Sequence, residues 1–270
     1  MNILDAVVLG AVEGLTEFLP ISSTGHLILT STLLGLDQTE FLKSFEIAIQ
    51  LGAILAVVAF YWRAFLDIET IKKLITAFLP TGIIGLLLYH TVKTYLIGNL
   101  SVVVASLFVG GIAIIAFEWW YKHKRIPDKA SVSGINEAET PAPHVSSIPY
   151  RKALAIGLFQ SIAIVPGVSR SAATIIGGLA LGLDRRTIVE FSFLLAVPTM
   201  LAATTLDLMK NIGEFSASQT TFLFTGFLAA AVVALGAISF LLHFVKKHDF
   251  TVFGIYRVIV AIAFLTLVMM

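Results

Sequence analysis

The chain has 270 residues, 57% of them hydrophobic and 13% charged, with a formal net charge of +1. That balance excludes an ordinary soluble globular domain and describes a polytopic membrane protein. The absence of cysteine excludes disulfides and thiolate chemistry, and it leaves the compartment unread from redox usage.

A helix needs roughly 20 residues to cross a hydrocarbon core of about 30 Å. The first apolar run, 3 to 36, is interrupted at Pro20. Each half is about 15 residues, or roughly 23 Å at 1.5 Å per residue, which is too short to cross. The run therefore reads as a re-entrant helical hairpin, tolerated where broken backbone is buried in protein or lines a wet cavity. It carries Asp5 and no small-residue cleavage site, so it is expected to belong to the mature protein. Stretches long enough to span follow at 42 to 62, 74 to 92 and 101 to 121. The polar segment IPDKASVSGINEAETPAPHVSSIP, 126 to 149, is the one candidate linker. A second broken run, 153 to 183, is interrupted at Pro166 and Gly167 and reads as another hairpin. Spans at 187 to 209, 219 to 244 and 252 to 269 complete the chain. The expected fold is all-α and polytopic, with six transmembrane helices plus two re-entrant helical hairpins.

Loop charge gives the orientation. One side collects Arg63, Lys72, Lys73, Lys122, Lys124, Arg125, Lys129, Arg151, Lys152, Arg185, Arg186, Lys246 and Lys247, while the other keeps Lys43, Lys93 and Lys210. The basic side is expected to be cytoplasmic, with both termini and the first hairpin's mouth outside. The two halves also match. LGLD at 34 to 37 recurs at 181 to 184, and Gly10, Glu13 and Ser22 align with Gly157, Gln160 and Ser169 at the same offset. After a three-residue slip, Glu46 aligns with Glu190, FLPTG at 78 to 82 with FLFTG at 222 to 226, and Gly110 with Gly254. The expected organisation is a first repeat at 1 to 121, a cytoplasmic loop at 122 to 150 and a second repeat at 151 to 270. Because each repeat holds a hairpin and three spans, the second copy must be inverted, which puts a site at the repeat interface near the midplane.

The chemistry gathers at the two breaks. Glu13 and Glu17, four apart, project from one face of the first half-helix. Paired acids in a poor dielectric call for a cation or a shared proton. After Pro20, Ser22, Ser23 or Thr24 suits the N-cap of the next half-helix, whose free N–H groups form an anion site. PGVSRS at 166 to 171 repeats the design and adds Arg170, whose guanidinium can clasp a phosphate bidentately. A divalent cation between the acids and a phosphorylated ligand would reconcile these charges, since Mg²⁺ takes a few carboxylates with phosphate oxygens and water. Ser23 is a candidate nucleophile, with Ser22 close behind, and His26 a candidate general base or acid. Outside the breaks, Glu118 with Trp119, Trp120 and Tyr121 reads as an interfacial belt. Arg257 reads as a side chain that snorkels or pairs with an acid. Glu46 and Glu190 read as repeat-core residues, and GGLALG at 177 to 182 as close helix packing.

EGLTEFLPISSTGH at 13 to 26 and PGVSRSAAT at 166 to 174 closely resemble the undecaprenyl-diphosphate phosphatase family, bacitracin-resistance type. The resemblance extends through FEIAIQLGAILAV at 45 to 57 and EFSFLLAVP at 190 to 198. The family pattern is met by Glu13, Glu17, His26, Pro166, Gly167, Ser169, Arg170, Ser171 and Thr174. The resemblance implies hydrolysis of a polyprenyl diphosphate lipid to its monophosphate, a divalent cation such as Mg²⁺ or Ca²⁺, and a bacterial inner membrane with the active site facing outward. Together with the residue chemistry above, catalytic roles are expected for Glu13, Glu17, Ser23, His26 and Arg170, with metal on Glu13 and Glu17. Head-group binding falls to Ser22, Thr24, Ser169, Arg170, Ser171 and Thr174. Membrane lipids and a homodimer partner are expected, and nucleic acid is not. The lipid phosphatases that use a phosphorylated histidine are excluded, because no histidine follows Arg170 in SAATIIGGLALGLD. A transporter or lipid flippase of the inverted-repeat type is the alternative.

Overall fold

The computed structural model describes residues 1–96, 99–124, 145–211 and 217–269, and over these the chain is helical without strands. The first half forms α1 (Ile3–Thr16), α2 (Ser23–Leu33), α3 (Glu40–Phe60), α4 (Ile68–Thr91) and α5 (Leu100–His123). The second forms α6 (Tyr150–Ser161), α7 (Arg170–Ala180), α8 (Arg185–Asn211), α9 (Ala217–Phe244) and α10 (Thr251–Met269). Among the described residues, α3, α4, α5, α8 and α9 are long and apolar enough to cross a membrane. The segment expected as the sixth span forms α10, which is apolar over Thr251–Thr266 among the described residues. The expected linker lies outside the described residues as far as 144, and Val145–Ser147 then makes a short 3-10 turn.

The two broken runs fold into short helix pairs, α1 with α2 and α6 with α7. With 14, 11, 12 and 11 residues, each is too short to cross alone. Both breaks end in the same way. Ser22 (φ 74°) and Ser169 (φ 76°) are the non-glycine residues with positive φ among those described. Each caps its helix, accepting at Oγ from Gly25 N (3.3 Å) and Ala172 N (3.2 Å). A serine in that conformation costs of order 1–3 kcal/mol, and the cap offsets about 1 kcal/mol of it. The far ends of α2 and α7 also match, because Gly35 (φ 66°) and Gly182 (φ 74°), the first glycines after those helices, take the left-handed turn. Leu36 N then reaches Ser31 O at 2.9 Å and Leu183 N reaches Gly178 O at 3.0 Å, closing the last turn of each helix.

Packing crosses between the halves. α1 lies against α9 and α6 against α4, α5 crosses α10, and α3 meets α8. Glycine permits these approaches. A Cβ on Gly10 would sit 2.3 Å from Gly226 O, one on Gly14 2.3 Å from Ala230 O, and one on Gly157 2.0 Å from Ala77 O. A Cβ on Gly111 would lie 2.7 Å from Gly254 O, and one on Gly254 2.8 Å from Gly111 O. Without a hydrophobic drive between helices in lipid, such close backbone packing contributes to their association.

Two charged residues depart from expectation. Glu118 is 1% exposed rather than part of a belt. It accepts from both Nη atoms of Arg185, at 2.6 and 2.7 Å, and from Phe250 N at 3.2 Å, tying α5 to the starts of α8 and α10. Trp119 and Trp120 remain exposed. Arg257 neither snorkels nor pairs with an acid. It is fully buried, and Nε donates to Leu107 O (3.3 Å), Nη1 to Pro20 O (3.4 Å) and Val168 O (2.9 Å), and Nη2 to Ser106 O (2.9 Å) and Gly167 O (2.8 Å). Pro20, Gly167 and Val168 lie at the chain breaks, where carbonyls lack helical partners, and a guanidinium has N–H donors in a fixed fork to receive them. Gly110 gives it room, since a Cβ there would lie 2.2 Å from Arg257 Nη2.

Thermal unfolding in detergent checks both devices. Arg257→Met should strand buried carbonyls at about 1–3 kcal/mol each and lower the midpoint markedly. Gly157→Ala should cost about 1–3 kcal/mol by overpacking, outweighing the roughly 1 kcal/mol that alanine gains in a helix. Unchanged midpoints would contradict the packing described.

Candidate active site

The first break delivers two carboxylates. Glu17 closes α1, its N–H donating to Glu13 O at 2.9 Å, so the acids stand one turn apart and both are buried. The second break delivers a cation. Arg170 opens α7, and its Nη2 donates to Glu17 Oε1 at 2.9 Å, with side chains only 11% and 4% exposed. Glu17 Oε2 accepts from the hydroxyl of Ser23, the first residue of α2. One carboxylate thus joins the guanidinium from one half to the hydroxyl from the other. Removing two charges from a wet environment costs several kcal/mol per ion, and a buried pair is weak evidence for stability. Its place at the meeting of two chain breaks points to chemistry instead.

A hydroxyl network surrounds the pair. Arg170 Nη1 donates to Ser192 O (2.5 Å) and Ser192 Oγ (3.2 Å), and Ser192 Oγ lies 2.6 Å from Thr174 Oγ1. Ser171 donates to Leu19 O at 2.8 Å, crossing to the other break, and sits 3.3 Å from Ser169 Oγ. Thr24 stands apart, exposed on the first turn of α2. Three atoms here are buried without a hydrogen-bond partner: Glu13 Oε1, Glu13 Oε2 and Arg170 Nε. Orphaned buried acceptors and donors are rare and costly. Two carboxylate oxygens without a donor, beside a second acid, suit a cation or a shared proton, and a guanidinium N–H without an acceptor suits an anion.

His26 is held at both nitrogens. Nδ1 lies 2.7 Å from Ser22 O, and Nε2 lies 2.9 Å from the Tyr256 hydroxyl. The two rings are nearly parallel, 6° apart with centroids at 5.5 Å. A carbonyl only accepts, so Nδ1 carries the proton in the neutral ring and Nε2 accepts from the phenol. The structure therefore brings the Ser23 proton to Glu17 and the His26 lone pair to Tyr256. Gln160, which aligns with Glu13, lies outside the site, donating to Thr81 Oγ1 (3.0 Å) and Thr199 Oγ1 (3.1 Å).

Among the described residues, no group of three or more His, Cys, Asp or Glu is disposed to hold a metal. The two acids still fit a hard divalent ion, because Mg²⁺ is commonly held by one or two carboxylates and completed by substrate phosphate and water. The unpartnered oxygens of Glu13 are the observation that supports the fit.

The family described as Bacitracin resistance protein BacA matches residues 6–263. The chain belongs to this family. An undecaprenyl-diphosphatase of Sulfurihydrogenibium sp. (strain YO3AOP1) is 51% identical over 98% of this chain and 98% of its own. One of Aquifex aeolicus (strain VF5) is 51% identical over 96% of each, and one of Persephonella marina (strain DSM 14350 / EX-H1) is 52% identical over the whole of both. The match spans both breaks, so all the residues of the candidate site lie within the family region.

Sequence reasoning brought out Glu13, Glu17, Ser23, His26 and Arg170, but it missed Ser192 and Tyr256. Ser192 lies in an otherwise apolar run and Tyr256 in an apolar helix, and neither spacing nor local charge marks them. Nitrogen-15 NMR of histidine-labelled protein, with the His26 signal assigned by comparison with His26→Asn, should show the Nδ1–H tautomer. An Nε2–H tautomer would contradict the ring orientation described here.

Proposed function

We propose that this member of the BacA family hydrolyses undecaprenyl diphosphate to undecaprenyl phosphate and inorganic phosphate, recycling the lipid carrier used in cell-wall synthesis. The observation that carries the reading is the chain Arg170–Glu17–Ser23, which draws on both breaks and leaves Arg170 Nε and both Glu13 oxygens without protein partners. Its architecture is read as six spans with α1/α2 and α6/α7 as re-entrant hairpins, in inverted repeats at 1 to 121 and 151 to 270 joined by the loop at 122 to 150. The matching serine caps, glycine turns and reciprocal packing support that reading. The protein is assigned to the bacterial inner membrane as a multi-pass chain. The basic loops face the cytoplasm and the site opens toward the periplasm, from which a diphosphate head group enters.

In the proposed reaction, Ser23 Oγ attacks the terminal phosphorus as its proton passes to Glu17 Oε2. The bond to the bridging oxygen breaks, and the lipid monophosphate leaves. Water then cleaves the serine phosphate, releasing inorganic phosphate and restoring the hydroxyl. Arg170, reaching from the opposite repeat, balances charge on the non-bridging oxygens, as positioning and electrostatics dominate phosphoryl transfer. The Ser22 and Ser169 caps orient the starts of α2 and α7, whose free N–H groups favour the anion. His26, anchored by Ser22 and Tyr256, borders the same helix start. A divalent cation, Mg²⁺ or Ca²⁺, would be held by Glu13 and Glu17 and would polarise the phosphoryl group.

Phosphate release from a prenyl diphosphate by purified protein in detergent, without any gradient, tests the reading. Glu17→Gln, Ser23→Ala and Arg170→Lys should each lower kcat at least about a hundredfold. Full activity in any of the three would contradict the assignment, and absence of release from the parent protein would favour a transporter. EDTA should abolish release and Mg²⁺ or Ca²⁺ restore it. Glu13→Gln should raise the metal concentration needed about 10–100-fold, and an unaltered requirement would remove Glu13 from the cation site.

A further inference from the structure

A pocket opens where the end of α3, the first turns of α8 and the end of α9 converge on the basic side of the molecule. It is a cavity of about 230 Å³ lined by Phe60, Tyr61, Arg186, Glu190, His243 and Lys246, and it shares no residue with the candidate active site. At its floor, Glu190 is buried. Its Oε1 accepts from Arg186 Nε at 3.0 Å, while its Oε2 has no partner, and neither does the buried hydroxyl of Tyr61. A buried carboxylate oxygen left unpaired costs the full desolvation penalty of the group, so this position asks for a donor. The rim has the opposite character. The Arg186 side chain is 45% exposed, and Lys246 and His243 are exposed. Inorganic phosphate would suit the rim and be repelled at the floor. A lipid with an anionic head group but no amine would leave Glu190 Oε2 unpaired.

The complementary ligand carries an ammonium and a phosphate a few bonds apart. The aromatic rings of Phe60 and Tyr61 add a face that attracts an ammonium. The exposed side chains of Phe60 and Trp62 place the opening in an aromatic setting of the kind found at a membrane–water boundary. We propose that this cavity binds the phosphoethanolamine head group of a membrane phospholipid, with the ammonium on Glu190 and Tyr61 and the phosphate on Arg186 and Lys246. The site lies apart from the diphosphate chemistry and does not depend on it.

Native mass spectrometry of the delipidated full-length protein, offered equimolar phosphatidylethanolamine and phosphatidylglycerol, tests the proposal. The parent protein should retain phosphatidylethanolamine preferentially. Glu190→Gln, which keeps shape and removes charge, should cut that preference about tenfold through loss of one charge-assisted hydrogen bond. Lys246→Glu, at an exposed position, should weaken retention of both lipids. Equal retention by the parent protein, or a preference that survives Glu190→Gln, would overturn the proposal. Soluble O-phosphoethanolamine should bind at least about a hundredfold more weakly than the lipid, because it lacks the acyl chains that add burial. Equal affinity would overturn the assignment to a phospholipid.

Discussion

Arg257 holds the structure's two weakest points together. Breaking a helix inside a membrane leaves carbonyls with neither helical partners nor water, and each would cost several kcal/mol in hydrocarbon. The five bonds from its guanidinium reach Pro20 at the first break, Gly167 and Val168 at the second, and Leu107 and Ser106 on α5. One side chain thus satisfies broken backbone from both halves and fixes their separation. Gly110, beneath it, makes the burial sterically possible.

With the breaks so joined, the Glu17–Arg170 contact follows. A carboxylate at the end of α1 and a guanidinium at the start of α7 lie far apart in sequence, yet they meet at 2.9 Å where the two chain breaks come together. Functional sites are where strain and unpaired polar atoms accumulate. Here the strain is the positive φ of Ser22 and Ser169, and the unpaired atoms are those of Glu13 and Arg170. Replacing such a buried pair by apolar side chains of similar volume is often neutral or stabilising. The expense is intelligible if a diphosphate and its counter-cation complete the charge balance.

Much of this was legible in the sequence because its signals are local. Pro20 and Pro166 mark the breaks, Ser22, Ser23 and Thr24 offer a cap after the first, and the four-residue spacing of Glu13 and Glu17 fixes a shared face. The repeated LGLD marks the match between the halves, and the structure shows its glycines in paired turns. What was not legible depends on partners distant in the chain. Glu118 among aromatic residues has the composition of an interfacial belt, and nothing nearby announces Arg185. Arg257 looks like any cation in a span, because backbone carbonyls, its partners, are present at every residue and carry no signature. Tyr256 and Ser192 are ordinary side chains until tertiary packing brings His26 and Arg170 to them.

The central claim is that two chain breaks from opposite halves build one phosphate site. An experimental structure in a lipid bilayer with a non-hydrolysable methylene-bisphosphonate analogue of a prenyl diphosphate tests it most directly. The account predicts the terminal phosphonate within hydrogen-bonding reach of the Arg170 guanidinium and of Ser23 Oγ, between the starts of α2 and α7. An analogue bound elsewhere, with Arg170 still closed on Glu17 and no shared cavity between the breaks, would contradict it.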